Sequence, residues 1–407
     1  MITSLAWKNI WRNKVRSLVV IAAIVVGLTG GIFSIAVMNG MVEKRMQSAV
    51  ELETSHIQIH HPSFLENKEI RYLIPHTDSL SKIIMANPSI RAITRRTRVF
   101  AMINSPYASN GVMINGIDPK EEKKVTSIFE KISDSDGTYF GSEKRNQVVI
   151  SKRLADKLKV RLKSKITLTF QGIGDTLTGG SFKIAGIYNT SNGPFDDMNV
   201  FVRNSDLKRI ANIGPDEFHE IAILVKDPEQ FQQVADNLKK ALPGYTIQTW
   251  KEIQPELGMM NDMLAQTYAI LMMIIMLALM FGIVNTMLMS VLERVRELGM
   301  LMAIGMNKRR LFRMIMLETL FLSLTGAIVG MIISFLLILL VQRHGIDLST
   351  FSEGLQSFGY EAVIYPSLGA VYYVMITIMV AIFAMISSIY PARKALSLHP
   401  ADALKTF

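Results

Sequence analysis

The residues with the most chemistry to offer lie between Val291 and Arg313, in VLERVRELGMLMAIGMNKRRLFR. Glu293 and Glu297 are spaced to share a helix face. Like charges four apart weaken a helix, and a partner supplying cations would relieve them. Leu298, Leu301 and Ile304 add an apolar stripe at helical spacing. Gly299 admits close backbone approach, and Gly305 suits the left-handed residue that ends a helix. Arg294, Arg296, Lys308, Arg309, Arg310 and Arg313 make the stretch basic. The pattern suits docking of another protein. The plainer alternative is a solvated turn whose charges only fix membrane topology.

No catalytic centre is expected elsewhere. The chain has no G-x-x-x-x-G-K-[ST], so it does not bind ATP through a phosphate loop, and it has neither H-E-x-x-H nor G-x-S-x-G. His60 and His61 are adjacent, and neighbours on a strand point to opposite faces, so no metal site is expected there. Without cysteine, disulfides and thiolate chemistry are excluded.

Flanking elements must position the stretch. Tyr268–Met289 and Met314–Val341 are almost wholly apolar, and each exceeds the roughly 20 residues that cross a bilayer. Leu18–Met41 and Leu368–Tyr390 are two more such runs. The first is too long for the apolar part of a secretory signal. With 49% hydrophobic residues and a mean hydropathy of +0.28, the composition is that of a membrane protein. The net charge of +10 then reads as topology and anionic-lipid contact. Nucleic-acid binding is not expected, because aromatic-basic clusters are lacking.

Basic short loops at 1–17, 291–313 and 393–405, and an acidic loop at 342–365, place both termini in the cytoplasm. The expected segments are an interfacial helix over 1–17, with Trp7 and Trp11 at headgroup depth, and a first membrane helix with stalk over 18–53. A second helix spans 266–292, the basic loop 293–313 and a third helix 314–341. An outer loop follows over 342–367, then a fourth helix over 368–390 ended by Pro391, and a tail over 391–407. Gly27/Gly31 and Gly326/Gly330 are GxxxG pairs open to close helix packing. Asn285 should bond across helices or face a cavity. Met38, Met41, Met263 and Leu264 offer shape-tolerant apolar surface near the outer ends of the first two helices, a candidate substrate cleft.

Residues 54–265 read as an extracytoplasmic α/β domain. Alternation marks strands at Ser55–His61, Ile90–Ile103 and Gly111–Ile117, and a strand with a helix over Val148–Val160. A hairpin joins Ser164–Phe170 to Ser181–Tyr188 through the glycine-rich tip Gln171–Gly180.

The run from Glu293 to Met306 resembles the signature of the FtsX-like permease domain. Lys8–Ser17 and Tyr390–Ala395 extend that resemblance along the chain. Met302 departs from it, standing where the family often has Arg. The family belongs to the ABC transporters and includes MacB-type exporters and Lol-type lipoprotein-releasing permeases. The resemblance implies four membrane helices and a two-lobed α/β periplasmic core domain between the first two, with a second lobe inserted at about 127–213. It implies a dimer of permease chains, identical or not, in the cell inner membrane. A separate ATPase would bind ATP and Mg and dock on Glu293, Arg294, Arg296, Glu297, Gly299, Leu301, Ile304 and Gly305. With no ATPase fused to it, the chain is closest in layout to the Lol-type permeases. Membrane lipids, lipoproteins and a periplasmic carrier are then candidate partners, although the tip at 171–180 is shorter than the Lol hook that receives a carrier. The alternatives are MacB-like export of peptides or drugs, and a signalling scaffold that controls a cell-wall hydrolase.

Overall fold

The computed structural model describes residues 2–12, 14–141, 145–174, 176–190 and 192–397. The tail expected beyond residue 397 lies outside them. The chain forms two compact units. Of the described residues, the first holds those within 1–41, 262–346 and 364–397, and the second those within 42–261 and 347–363.

Helix α1 (Ile2–Arg12) opens the chain and α2 (Lys14–Ala49) follows. The expected interfacial helix is therefore shorter than 1–17, since Lys14–Ser17 already belong to α2. The Ser17 hydroxyl donates to the Ile10 carbonyl at 2.6 Å, satisfying an acceptor that the end of α1 leaves open. Ala6 and Ile10 form the buried face of α1, and Trp7 lies edge-on to Phe321 at 6.1 Å. At its far end α2 gives way to a π turn over Val50–Thr54, and Ser55 takes a positive φ of 55°.

The second unit is built on a nine-stranded sheet. Its strands are β1 (Ile57–His60), β2 (Ile90–Asn104), β3 (Ser109–Ile117), β4 (Gln147–Ser151), β5 (Lys165–Gln171), β6 (Leu177–Tyr188), β7 (Asn199–Arg203), β8 (Glu220–Val225) and β9 (Thr246–Thr249). The order is β3-β7-β4-β6-β5-β2-β8-β1-β9, and β3 also pairs with β2. Residues 90–96 of β2 pair with β8, and residues 97–104 pair with β3. One 15-residue strand thus serves two lobes. The first is the open array β2-β8-β1-β9, and the second is a closed ring of β2, β3, β7, β4, β6 and β5. Closure removes the exposed strand edges of that lobe. The ring takes in residues 97–117, ahead of the boundary expected at 127, because β2 is long enough to cross from one lobe to the other.

Strand β4 is buried along four of its five residues. Val148 and Ile150 join Phe182, Ile184 and Val200 in one core, while Val149 joins Tyr188, Phe195 and Phe201 in another. Helices α3 (Lys152–Leu158), α4 (Asn204–Ala211) and α5 (Phe231–Ala241) cover the strands. Between β5 and β6 the ladder runs out to Gln171↔Leu177, so the turn is narrower than the 171–180 tip. The outer loop is folded: Ser352–Ser357 is a helix, and Glu361 approaches Lys44 at 4.0 Å.

The remaining helices are α6 (Pro255–Glu293), α7 (Val295–Ala303), α8 (Lys308–His344) and α9 (Ala370–Ser397). Among the described residues four helices are long and apolar enough to cross a membrane: α2 with its π turn, α6, α8 and α9. Both GxxxG pairs are packing seams. A Cβ at Gly31 would meet Ile275 at 2.6 Å, and one at Gly326 would meet Ile24 at 3.0 Å. The fourth helix does not stop at Pro391 but runs through it to Ser397. In the preceding turn the Ser388 hydroxyl donates to the Met385 carbonyl at 2.6 Å.

Candidate coupling site

Arg294 breaks the helix between α6 and α7 with φ −101° and ψ 15°. Gly305, at φ 101°, reverses the chain after α7. Its N–H donates to the Met302 carbonyl at 3.1 Å, and the Met306 N–H donates to Leu301 at 3.0 Å, which satisfies the carbonyls that end the helix. The Asn307 side chain then accepts from the Arg309 N–H at 3.1 Å and caps α8. The sequence VLERVRELGMLMAIGMN is thus a helix, a break, a short helix and a left-handed turn.

The faces of α7 are unequal. Leu298 and Gly299 are buried, and Leu301 and Met302 pack onto the helical core. Ile304, the last member of the expected stripe, is 85% exposed. The stripe is therefore split: Leu298 and Leu301 hold α7 to its own unit, and Ile304 points outward. Met300, Ala303 and Arg296 share the outward side. Spacings of four and three to four place these residues on one face.

Glu293 and Glu297 find their cations within the chain. Arg16 pairs with Glu293, and Arg12 pairs with Glu297. Arg294 bridges two carboxylates, reaching Glu297 at 3.1 Å through Nε and Glu318 at 3.2 Å through Nη1. The hydrogen bond from Arg12 holds the Glu297 carboxyl below its ordinary range, with Arg294 adding to the effect. Beneath the pairs lies a cavity of about 200 Å³, lined by Asn9, Arg12, Arg16, Glu293, Arg294 and Glu318 among others. Arg12 and Arg16 lie in the basic segment 1–17; their partners were not legible in the sequence, because Arg12 and Glu297 lie 285 residues apart.

The four cleft candidates do not form one face. Met38 and Leu264 pack onto the helical core, Met41 is half-buried, and Met263 is 59% exposed. Successive residues on a helix diverge by 100°, so Met263 and Leu264 point different ways. Asn285 is exposed on α6.

The second unit holds a buried ionic centre that sequence reasoning missed. Arg96 donates to Glu122 and to Glu220, each at 2.8 Å, and to the Glu53 carbonyl at 3.0 Å. Arg98 donates to the other Glu220 oxygen at 2.9 Å. Burial raises the Glu220 carboxyl, but Arg98 and Arg96 outweigh it and hold the group at about 2. The charged alternation TRRTR in β2 was the available signal. His60 and His61 diverge as expected: His60 Nε2 lies 2.9 Å from Gln58 Oε1, and the His61 ring stacks on Tyr72. Among the described residues no group of three His, Cys, Asp or Glu is placed to hold a metal.

Comparison with known proteins gives two family matches. Residues 269–400 match the FtsX-like permease C-terminal family, and residues 17–241 match the MacB-like periplasmic core domain. The lipoprotein-releasing system transmembrane protein LolE of Haemophilus influenzae is 23% identical over 410 residues, covering 95% of this chain and 91% of that protein. The macrolide export ATP-binding/permease protein MacB of Bdellovibrio bacteriovorus is 25% identical over 206 residues, 47% of this chain and 29% of that one. The solved periplasmic region of MacB from Actinobacillus actinomycetemcomitans is similar at 12% identity and a TM-score of 0.35, covering 53% of this chain and 98% of that one.

Proposed function

The chain belongs to the FtsX-like permease family and carries a MacB-like periplasmic core domain, and on that premise we propose that it is driven by a separate ATPase docked on α7. It is an ABC transporter permease of the FtsX, MacB and Lol type. In this reading it sits in the cell inner membrane with both termini cytoplasmic. The partner binds ATP and Mg. Its motion reaches the periplasmic lobes through the helices that continue into them. The observation that carries the docking role is the two-sidedness of α7. One side is packed, while Arg296, Met300 and Ile304 stand outward on a turn between two spanning helices.

The substrate reading is lipoprotein extraction from the inner membrane. It is favoured over MacB-like export because the LolE likeness covers 95% of this chain, whereas the MacB likeness covers 47%. A second permease chain completes the transporter.

The test is copurification. Tagged full chain taken from its native membrane is expected to bring down an ABC ATPase, and the reconstituted complex to hydrolyse ATP. A lysine at a desolvated interface anchor costs several kcal/mol, so Ile304→Lys should weaken ATPase retention by about tenfold or more. Unchanged retention would contradict docking on this face.

A further inference from the structure

We infer that displacement of the α6–α7 junction reaches α2 through two ion pairs, Arg12–Glu297, which ties α7 to the end of α1, and Arg16–Glu293, which ties the end of α6 to the first turn of α2. This rests on the coupling role proposed above for α7. Both glutamates face the chain's own N-terminal region, so they are engaged before any partner arrives. The outward face that remains for a partner lies on other residues, Arg296, Met300 and Ile304.

Three observations make α1 a mechanical link rather than a surface ornament. It is tied to α2 at its end, where the Ser17 hydroxyl donates to the Ile10 carbonyl at 2.6 Å. It is tied to α8 by the edge-on contact of Trp7 with Phe321. The cavity of about 200 Å³ under the ion pairs leaves room for the paired side chains to shift while Ala6 and Ile10 stay packed. Close packing otherwise resists such shifts. A pull on α7 therefore acts through Glu297 on Arg12, at the end of α1, and a pull on the end of α6 acts through Glu293 on Arg16, in the first turn of α2. Helix α2 is chain-continuous with the π turn and with β1, so the displacement has a covalent route to the sheet.

The chemistry gives a clean test. The two pairs are partly exposed, so reversing a charge does not unpack a core. Like charges facing each other across such a contact cost several kcal/mol. Arg16→Glu and Glu293→Arg are each expected to lower ATP turnover of the reconstituted complex by about tenfold while the ATPase still copurifies. The double variant Arg16→Glu/Glu293→Arg is expected to return to within about threefold of wild type, the scatter of exposed ion pairs. Failure of the double variant to recover, with the ATPase retained, would overturn the inference and leave Glu293 as a direct partner contact. Loss of the ATPase from the wild-type chain would sink the coupling reading itself. Because the chain has no cysteine, Arg12→Cys/Glu297→Cys adds a second arm. A bifunctional thiol crosslinker about as long as the two lost side chains is expected to join them and to preserve turnover, since a covalent link of similar reach replaces the ion pair, whereas a direct disulfide would be too short. Turnover lost on crosslinking would contradict a link that stays closed through the cycle.

Discussion

At the scale of residues, the chain separates two kinds of charge. Those at α7 are partly exposed and reversible, whereas those at Arg96, Glu122 and Glu220 are buried and mutually dependent. Breaking a buried pair leaves an uncompensated charge, which is far more damaging than losing a surface pair. The histidines near this centre carry a pH dependence. Burial lowers His56, His60 and His219 to about 4, from an ordinary value of 6.5. Between those values the unfolded chain binds more protons than the folded one, so stability falls as pH drops from 6.5 to 4. Glu220 adds a loss at lower pH. Its folded value of about 2 lies below the ordinary 4.5, so its contribution is full above 4.5 and disappears as pH falls through 2. Amide-exchange protection of β1 and β8 in the full chain should therefore decline between pH 6.5 and 4, by an amount of order a few kcal/mol. A flat profile over that range would show that these histidines are not buried neutral in the folded state.

At the scale of elements, most of the layout was legible. Spans followed from apolar runs, and strands followed from alternation, because both signals are local. Two features escaped for the same reason. The dual pairing of β2 depends on partners from β3, β5 and β8, remote in sequence. The passage of α9 through Pro391 runs against the local rule that proline ends a helix, so it depends on surroundings beyond the local sequence. One element still lacks its complement. Asn285 stands exposed on α6 beside Phe281 and Gly282, and its side-chain amide makes no hydrogen bond among the described residues. A primary amide in hydrocarbon needs a partner, which a second permease chain would supply in the proposed dimer. Interhelical hydrogen bonds of this kind are worth about 1–2 kcal/mol in model peptides. Asn285→Leu is accordingly expected to weaken dimerisation in membranes by about five- to thirtyfold, read from crosslinking of Phe281→Cys chains. Equal crosslinking with and without the amide would place the dimer contact elsewhere.

At the scale of the whole molecule, the family signature marked the stretch from Glu293 to Met306, and the fold shows how its side chains are engaged. Glu293 and Glu297 pair with Arg16 and Arg12 while staying partly exposed, and Ile304 and Met300 hold the open side. Sequence spacing defines which residues share a helix face. It does not say which face the fold covers, since that depends on α1 packing across hundreds of intervening residues. The central claim is that the outward face of α7 receives an ATPase. The most direct measurement places a photoreactive residue at Ile304 of the full chain in its native membrane, with Leu298 as the buried control. The account predicts a crosslinked adduct at Ile304 containing a polypeptide with a phosphate-binding loop, identified by mass spectrometry, and none at Leu298. Adducts at Ile304 with lipid alone would contradict it and return α7 to the role of a charged turn that only fixes topology.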